Sequence, residues 1–199
     1  MSDDTRSSRK QASHDRILQA AAHALRRDGY AGVGVAEVMK EAGLTHGGFY
    51  AHFASREALL AEAVAHAGQD STGTLSQRIA TRSGSRGISR FRALMEIYLS
   101  ERHLASPETG CPVAALGSEM PRQSAEVRAA SCERVRGLLK VVNEVLPSGA
   151  APESALVIAS TMVGALQLAR TLGSNAQGKA LLSASREALI RQYDAGASH

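Results

Sequence analysis

Tryptophan is absent from this 199-residue chain, aromatic residues amount to 4%, and there are only two cysteines, Cys111 and Cys132. Two thiols are too few for a disulfide scaffold, and the chain has no second Cys/His pair at zinc-ligand spacing, so free thiols in a reducing compartment are expected. No apolar run approaches the roughly 18 residues of a membrane span, and the opening MSDDTRSSRKQASHDR lacks the apolar centre of a signal peptide. The expected location is the cytoplasm. Strand-type alternation of apolar and polar residues is missing, as is any internal repeat, which leaves an all-α fold. Nor is the composition extreme: 44% hydrophobic and 21% charged residues exclude a disordered or fibrous chain, and the length allows a real core without a metal or disulfide staple. No metal or cofactor is expected.

What aromatic content there is clusters. Tyr30, Phe49, Tyr50 and Phe53, four of the seven rings, fall within residues 30–53 and mark a small separate core. The same region is basic: residues 5–56 hold eight Lys/Arg against four acids, within a chain of formal net charge +4. A basic, aromatic-bearing N-terminal unit points to a polyanionic partner.

Apolar spacing at Ile17, Leu18, Ala21, Ala24 and Leu25 predicts a first helix over about 13–28, capped by Ser13 and ended by Gly29 as a left-handed cap. Short helices follow over 35–42, stopped by Gly43, and over 45–53; Ser55 caps a fourth. The stretch 68–87 is polar and rich in Gly and Ser, which predicts a helix break or mobile connection. Further helices are expected over 88–104, 112–120, 124–146, from Pro152 to Leu172, and over 178–193, about nine in all. This divides the chain into an N-terminal helical unit over 13–65, whose two short helices pair at about 34–53, and a C-terminal helical unit over 86–194.

Two short helices joined at a glycine suit a helix-turn-helix, in which one helix braces the second in the major groove. The run GYAGVGVAEVMKEAGLTHGGFYAHFASREALL, Gly29 to Leu60, closely resembles the DNA-binding segment of the tetracycline-repressor (TetR) family of bacterial transcriptional regulators. Gly29, Val38, Ala42-Gly43-Leu44, the Phe49-Tyr50-x-His52-Phe53 cluster, Ser55 and Arg56-Glu57-x-Leu59 carry the resemblance, which is specific over about 13–65. It implies a homodimeric regulator of double-stranded operator DNA, responsive to a small-molecule effector, most simply a repressor released by an apolar or aromatic compound.

The resemblance makes 45–53 the recognition helix and assigns phosphate contacts to Tyr50, His52 and Arg56. Independently, these offer a hydroxyl, a ring N–H and a cation near a helix start. Thr45 and His46 are left to read bases, while Gly47 and Gly48 allow close backbone approach. Two positions depart from the family pattern: Gly34 and Val35 stand where Ser or Thr usually begins the second helix, leaving a backbone contact at Val35, and Met39 replaces a small Ala. Phe49 and Phe53 read as core with Leu18, Ala21 and Leu25. Arg6, Arg9 and Lys10 read equally as a solvated tail and as a minor-groove arm.

In the C-terminal region the stripe Phe91, Met95, Tyr98 and Leu99, with Cys111, Leu116, Met120, Met162 and Leu166, is expected to line an effector pocket. Ile158, Met162, Leu181, Leu189 and Tyr193 are expected at a two-fold dimer interface, because the helix before Leu172 is apolar almost all round. Cys111 reads first as a small buried hydrophobe and second as a redox trigger. Gly173 to Ala180 nearly spells a phosphate-cradling loop but lacks the final Ser/Thr and a preceding strand. No nucleophile and base can be paired by spacing, so an enzyme or small-molecule-binding helical protein is the alternative, and a clustered, accessible acid–base pair in the C-terminal region would support it.

Overall fold

A computed structural model describes residues 2–151 and 153–194, with side chains from Ser7 onward. Among these residues the chain is all-α as expected: nine α-helices with three 3₁₀ segments and no strand. Helix α1 (Ser2–Gly32) begins well before residue 13, so Ser13 lies inside it and is not its cap. Gly29 interrupts α1 at φ 74°, ψ 178°, an extended break rather than a left-handed cap. A Cβ there would fall 2.6 Å from Glu119 Oε1, so backbone and space both require glycine.

Helix α2 (Val35–Glu41) ends in a turn through Gly43, at φ 71°. The segment expected as a helix over 45–53 is a 3₁₀ helix over His46–Ala51. Adjacent Gly47 and Gly48 each cost about 1 kcal/mol of α-helical propensity, which favours the short, tight form. Ser55 caps α3 (Arg56–Arg86), its Oγ accepting the Ala58 N–H at 3.0 Å.

No break occurs at 68–87: α3 is continuous through Arg86. Its Gly/Ser-rich half is held by tertiary packing along helices α4 (Arg90–Tyr98) and α7 (Ala125–Asn143), with Ala67 and Ile79 buried and Leu75 against the C-terminal core. Gly68 lets the Arg134 side chain lie directly against α3, since a Cβ there would overlap its Cδ. Burying such aliphatic groups, at about 1.5–3 kcal/mol each, outweighs a glycine's propensity cost.

The helix expected over 88–104 is divided at Leu99 (φ −93°, ψ 50°) into α4 and α5 (Glu101–Ala105). There the Ser100 hydroxyl donates to the Ile97 carbonyl at 2.8 Å and accepts the His103 N–H at 3.2 Å, replacing the helical ladder locally. Helix α6 (Pro112–Leu116) is shorter than expected and is followed by a 3₁₀ turn at Met120–Arg122. Helices α8 (Ser154–Leu172) and α9 (Ala176–Tyr193) pack as a pair; Pro152, expected in the first turn of α8, lies outside the described residues.

Two cores result. The head core gathers Ile17, Leu25, Val38, Met39, Phe49, Phe53 and Leu59; the C-terminal core gathers Phe91, Met95, Tyr98, Val142, Ile158 and Met162. They are joined by more than chain continuity, because Leu116, Met120 and Val127 pack into the head core. Polar links reinforce that seam. The Tyr30 amide donates to Glu119 Oε2 at 3.0 Å, Tyr30 Oη lies 3.2 Å from Ser131 Oγ, and Arg26 Nη1 donates to the Gly110 carbonyl at 3.2 Å.

Candidate functional site

The head presents a segment whose inner face is fixed and whose outer face is open. Phe49 and Phe53 are buried and stacked at 5.7 Å, and the His14 ring stacks on Phe53 at 4.7 Å while its Nε2 lies 3.0 Å from Glu62 Oε2. On this support Thr45, His46 and Gly47 are exposed, and Tyr50 is 76% exposed with its ring edge-on to Phe49. Thr45 and Gly34, the residues preceding the 3₁₀ segment and α2, make no side-chain cap, so neither start is closed by its own side chain. Val35 is half-buried. A Cβ built on Gly47 meets no atom within 4 Å, and one on Gly48 meets Met39 Cε at 3.7 Å and Thr45 Oγ1 at 3.9 Å, while Met39 itself is buried in the head core.

His52 and Arg56 are turned more inward. His52 Nδ1 is buried without a hydrogen-bond partner, and burial, then the neighbouring His14 and Lys10, lowers the ring's pKa. Arg56 donates from Nη2 to the Tyr30 carbonyl at 2.5 Å and from Nε to the Val33 carbonyl at 3.2 Å, tying the start of α3 to the end of α1. Arg9 and Lys10 are exposed on α1; the Arg6 side chain lies outside the described residues.

The stripe expected to line a pocket is distributed differently. Met95, Leu99, Met162 and Leu166 are fully buried in the C-terminal core, Leu116 and Met120 belong to the head core, and Phe91, itself buried, borders a separate open hollow of about 470 Å³ with Leu146 and Tyr193. Tyr98 and Cys111 do line a cavity of about 160 Å³, bounded by α3, α4, α5 and the segment through Gly110, with Leu75, Arg78, Ile97 and Arg102 among its walls. Sequence reasoning missed the α3 wall, because an expected break at 68–87 leaves no rigid surface to line anything.

A polar cluster forms one wall of this cavity, with His103 and Tyr98 in its lining and Arg170 behind them. His103 is half-buried and both its ring nitrogens are committed: Nδ1 lies 2.8 Å from the Tyr98 carbonyl and Nε2 accepts the Cys111 amide at 3.0 Å. Burial lowers its pKa to about 4, with the Tyr98 contact opposing and Arg170 and Arg78 assisting, so at neutral pH it is an uncharged ring already in use, not an accessible base. Tyr98 Oη is buried without a partner. Burial pushes its pKa well up and the Cys111 side chain beside it adds to this, although the two do not meet hydrogen-bond geometry. Arg170 donates from Nη2 to the His103 carbonyl at 2.9 Å, while its Nε and Nη1 are buried and unpartnered.

Arg26, which the sequence did not single out, connects the two regions. It is 4% exposed on α1, donates to Ala22 and Gly110 carbonyls, and has its pKa lowered by burial against the opposing charges of Asp70 and Glu108. Gly110 itself is hemmed in: a Cβ would fall 2.6 Å from His103 Nε2. The cavity wall and the head helix thus share one carbonyl.

Of the residues expected at a dimer interface, Ile158, Met162 and Leu189 are buried within the single chain, while Leu181 and Tyr193 are partly buried against the same core. The exposed apolar face of α8 is instead Leu156, Val157, Leu168 and Leu172. By length and mean hydropathy of 1.5, α8 is apolar enough to cross a membrane, yet its opposite face is packed in the core. The Gly173–Ala180 stretch is the α8–α9 turn, where Gly173 takes φ 93° and Asn175 caps α9. No metal-binding group of three His, Cys, Asp or Glu occurs among the described residues.

Residues 17–63 match the family described as "Bacterial regulatory proteins, tetR family". The HTH-type transcriptional regulator LmrA of Bacillus subtilis is 29% identical over 160 residues, covering 77% of this chain and 81% of its own. The Escherichia coli NemR structure, in its reduced form, superposes with a TM-score of 0.71 at 18% identity over 90% of this chain and 96% of that one. A TetR-family regulator from Agrobacterium tumefaciens gives 0.67 at 23% identity, over 92% and 98%.

Proposed function

The chain belongs to the TetR family of bacterial regulatory proteins, and from that premise we propose that it is a cytoplasmic, dimeric repressor released from a palindromic operator by a small molecule in the Tyr98–Cys111 cavity. The recognition segment meets duplex DNA through Thr45, His46 and the bare backbone of Gly47 and Gly48, with Tyr50 on phosphate and His52 and Val35 nearby. Arg56 acts first as a brace that fixes this segment against α1. The observation that carries the regulatory reading is the Arg26–Gly110 hydrogen bond, which couples the cavity wall to the head. A ligand that displaces Gly110 moves α1, and α3 supplies a second lever because it runs from Arg56 to the cavity-lining Arg78. A tenfold loss of operator affinity requires only about 1.4 kcal/mol of such coupling.

The dimer forms through the exposed α8 face. Val157, Leu168 and Leu172 project along one side of a helix whose other side is already buried, and a second copy covers them around a two-fold axis. Two heads then address successive major grooves about 34–36 Å apart. Selection of genomic fragments by the purified protein tests the proposal: wild type should enrich an imperfect palindrome and Tyr50→Ala should not. Failure to enrich any sequence would contradict it.

A further inference from the structure

Two cations of the effector cavity have no ion-pair partner among the described residues. Arg78 on α3 and Arg102 on α5 both line it, and among the described residues neither forms an ion pair or a side-chain hydrogen bond. They oppose each other: after burial, the charge of Arg102 is the largest influence lowering the Arg78 pKa, followed by Arg82. The wall behind is also short of acceptors, since Tyr98 Oη, 1% exposed as a residue, and Arg170 Nε and Nη1 are buried and unpartnered. The nearby acids, Glu108 and Asp70, act on Arg26 and Arg170 but pair with no cation. Beside this polar side stands an apolar one, built from Leu75, Ile97 and the Tyr98 ring.

We propose that the cavity takes a compact organic monocarboxylate of about one ring, its carboxylate held between Arg78 and Arg102 and its body against Leu75, Ile97 and Tyr98. This rests on the effector reading above and adds the ligand's chemical class. A guanidinium fork matches a carboxylate in geometry, and one anion between two cations removes their mutual repulsion. Size limits the body. A cavity of about 160 Å³ is close to the engineered apolar cavity of about 150 Å³ that holds benzene, so a body of one ring fits. The apolar wall favours an organic acid over inorganic phosphate.

Benzoate is the probe, with benzamide as its neutral counterpart and inorganic phosphate as a bare anion, each titrated calorimetrically into the full-length protein at constant ionic strength. Benzoate should bind saturably and raise the melting temperature, benzamide should bind at least tenfold more weakly, and phosphate should not compete. Arg102→Gln, at an exposed position, and Arg78→Gln should each weaken benzoate at least tenfold while the melting temperature without ligand stays near that of wild type. Equal binding of benzoate and benzamide, displacement by phosphate, no binding at millimolar benzoate, or benzoate binding indifferent to both substitutions would overturn the assignment. Because heat is read without DNA, the site is judged apart from its regulatory role. Charge-selective binding that leaves operator affinity unchanged supports the carboxylate site and removes only the effector function.

Discussion

Helix α3 presents Arg56 to the head and Arg78 to the cavity, 22 residues and about 33 Å further along, and the two guanidinium groups are held in opposite ways. Arg56 donates to two backbone carbonyls; among the described residues Arg78 has no side-chain acceptor, and it feels the charge of a second cation, Arg102. In the head the Arg56 guanidinium is satisfied within the fold while His52 Nδ1 is buried without a partner, and the proposed surface for DNA is the exposed Tyr50 and His46 with Gly47 and Gly48. In the C-terminal region the aliphatic core is complete but its polar edge is not. The two ends of one helix thus carry a satisfied guanidinium, which suits the proposed brace, and an unpaired one, which suits the proposed ligand contact.

The largest effect should come from removing the second copy. Leu168→Glu on the exposed α8 face should give a monomer by sedimentation, with operator affinity down by roughly 10²–10⁴ because two heads no longer bind as one. Leu189→Glu should instead unfold the C-terminal core, since that side chain is buried within one chain. A folded Leu189→Glu monomer beside an intact Leu168→Glu dimer would invert the interface.

Next is the buried polar cluster. The His103 pKa of about 4 lies below its ordinary 6.5, so the stability it gives is complete above pH 6.5 and is lost as pH falls from there through 4. Over that window wild type should lose roughly 3 kcal/mol more than His103→Gln in urea denaturation. Identical slopes would mean that the ring is not held neutral. Arg56→Ala should cost about 1–3 kcal/mol by stranding the Tyr30 and Val33 carbonyls, whereas Tyr50→Ala should stay within about 0.5 kcal/mol of wild type and act on operator affinity alone. If Arg56→Ala is fully stable and only reduces the salt dependence of binding, the brace releases onto phosphate.

The smallest expected effect is the most selective. Gly47→Ala meets no atom and should leave stability unchanged or raise it by up to about 1 kcal/mol, yet it puts a methyl group where DNA backbone or bases approach. Weaker operator binding by a fully stable protein supports that geometry; unchanged binding places Gly47 off the interface.

The head was legible in the sequence because its constraints are local. Gly43 needs positive φ, Ser55 caps the residue three positions on, and Phe49, Tyr50 and Phe53 alternate inside and outside within a few residues. The C-terminal region depends on partners far along the chain. Gly68 is set by Arg134, Gly110 by His103, Arg26 and Arg170, and the ends of α4 and α9 are joined by Asp194, which accepts from Ser89 and Arg92. Periodicity marks Met95, Leu99 and Met162 as buried, but a buried stripe can close on itself as well as line a cavity, and at these residues it closes. Likewise an all-round apolar α8 signals a covered helix without telling which face its own chain covers. Arg26 left no signal beyond a charge beside an apolar stripe.

Whether occupancy of the cavity is felt by the head can be tested without knowing the effector. Ser71→Phe places a ring from α3 into the cavity as a built-in ligand. Operator affinity of this variant, measured by fluorescence anisotropy beside wild type and with the dimer verified by sedimentation, should fall about tenfold, and Arg26→Met in the same chain should restore most of it. A folded, dimeric Ser71→Phe protein that binds the operator as tightly as wild type would contradict the account.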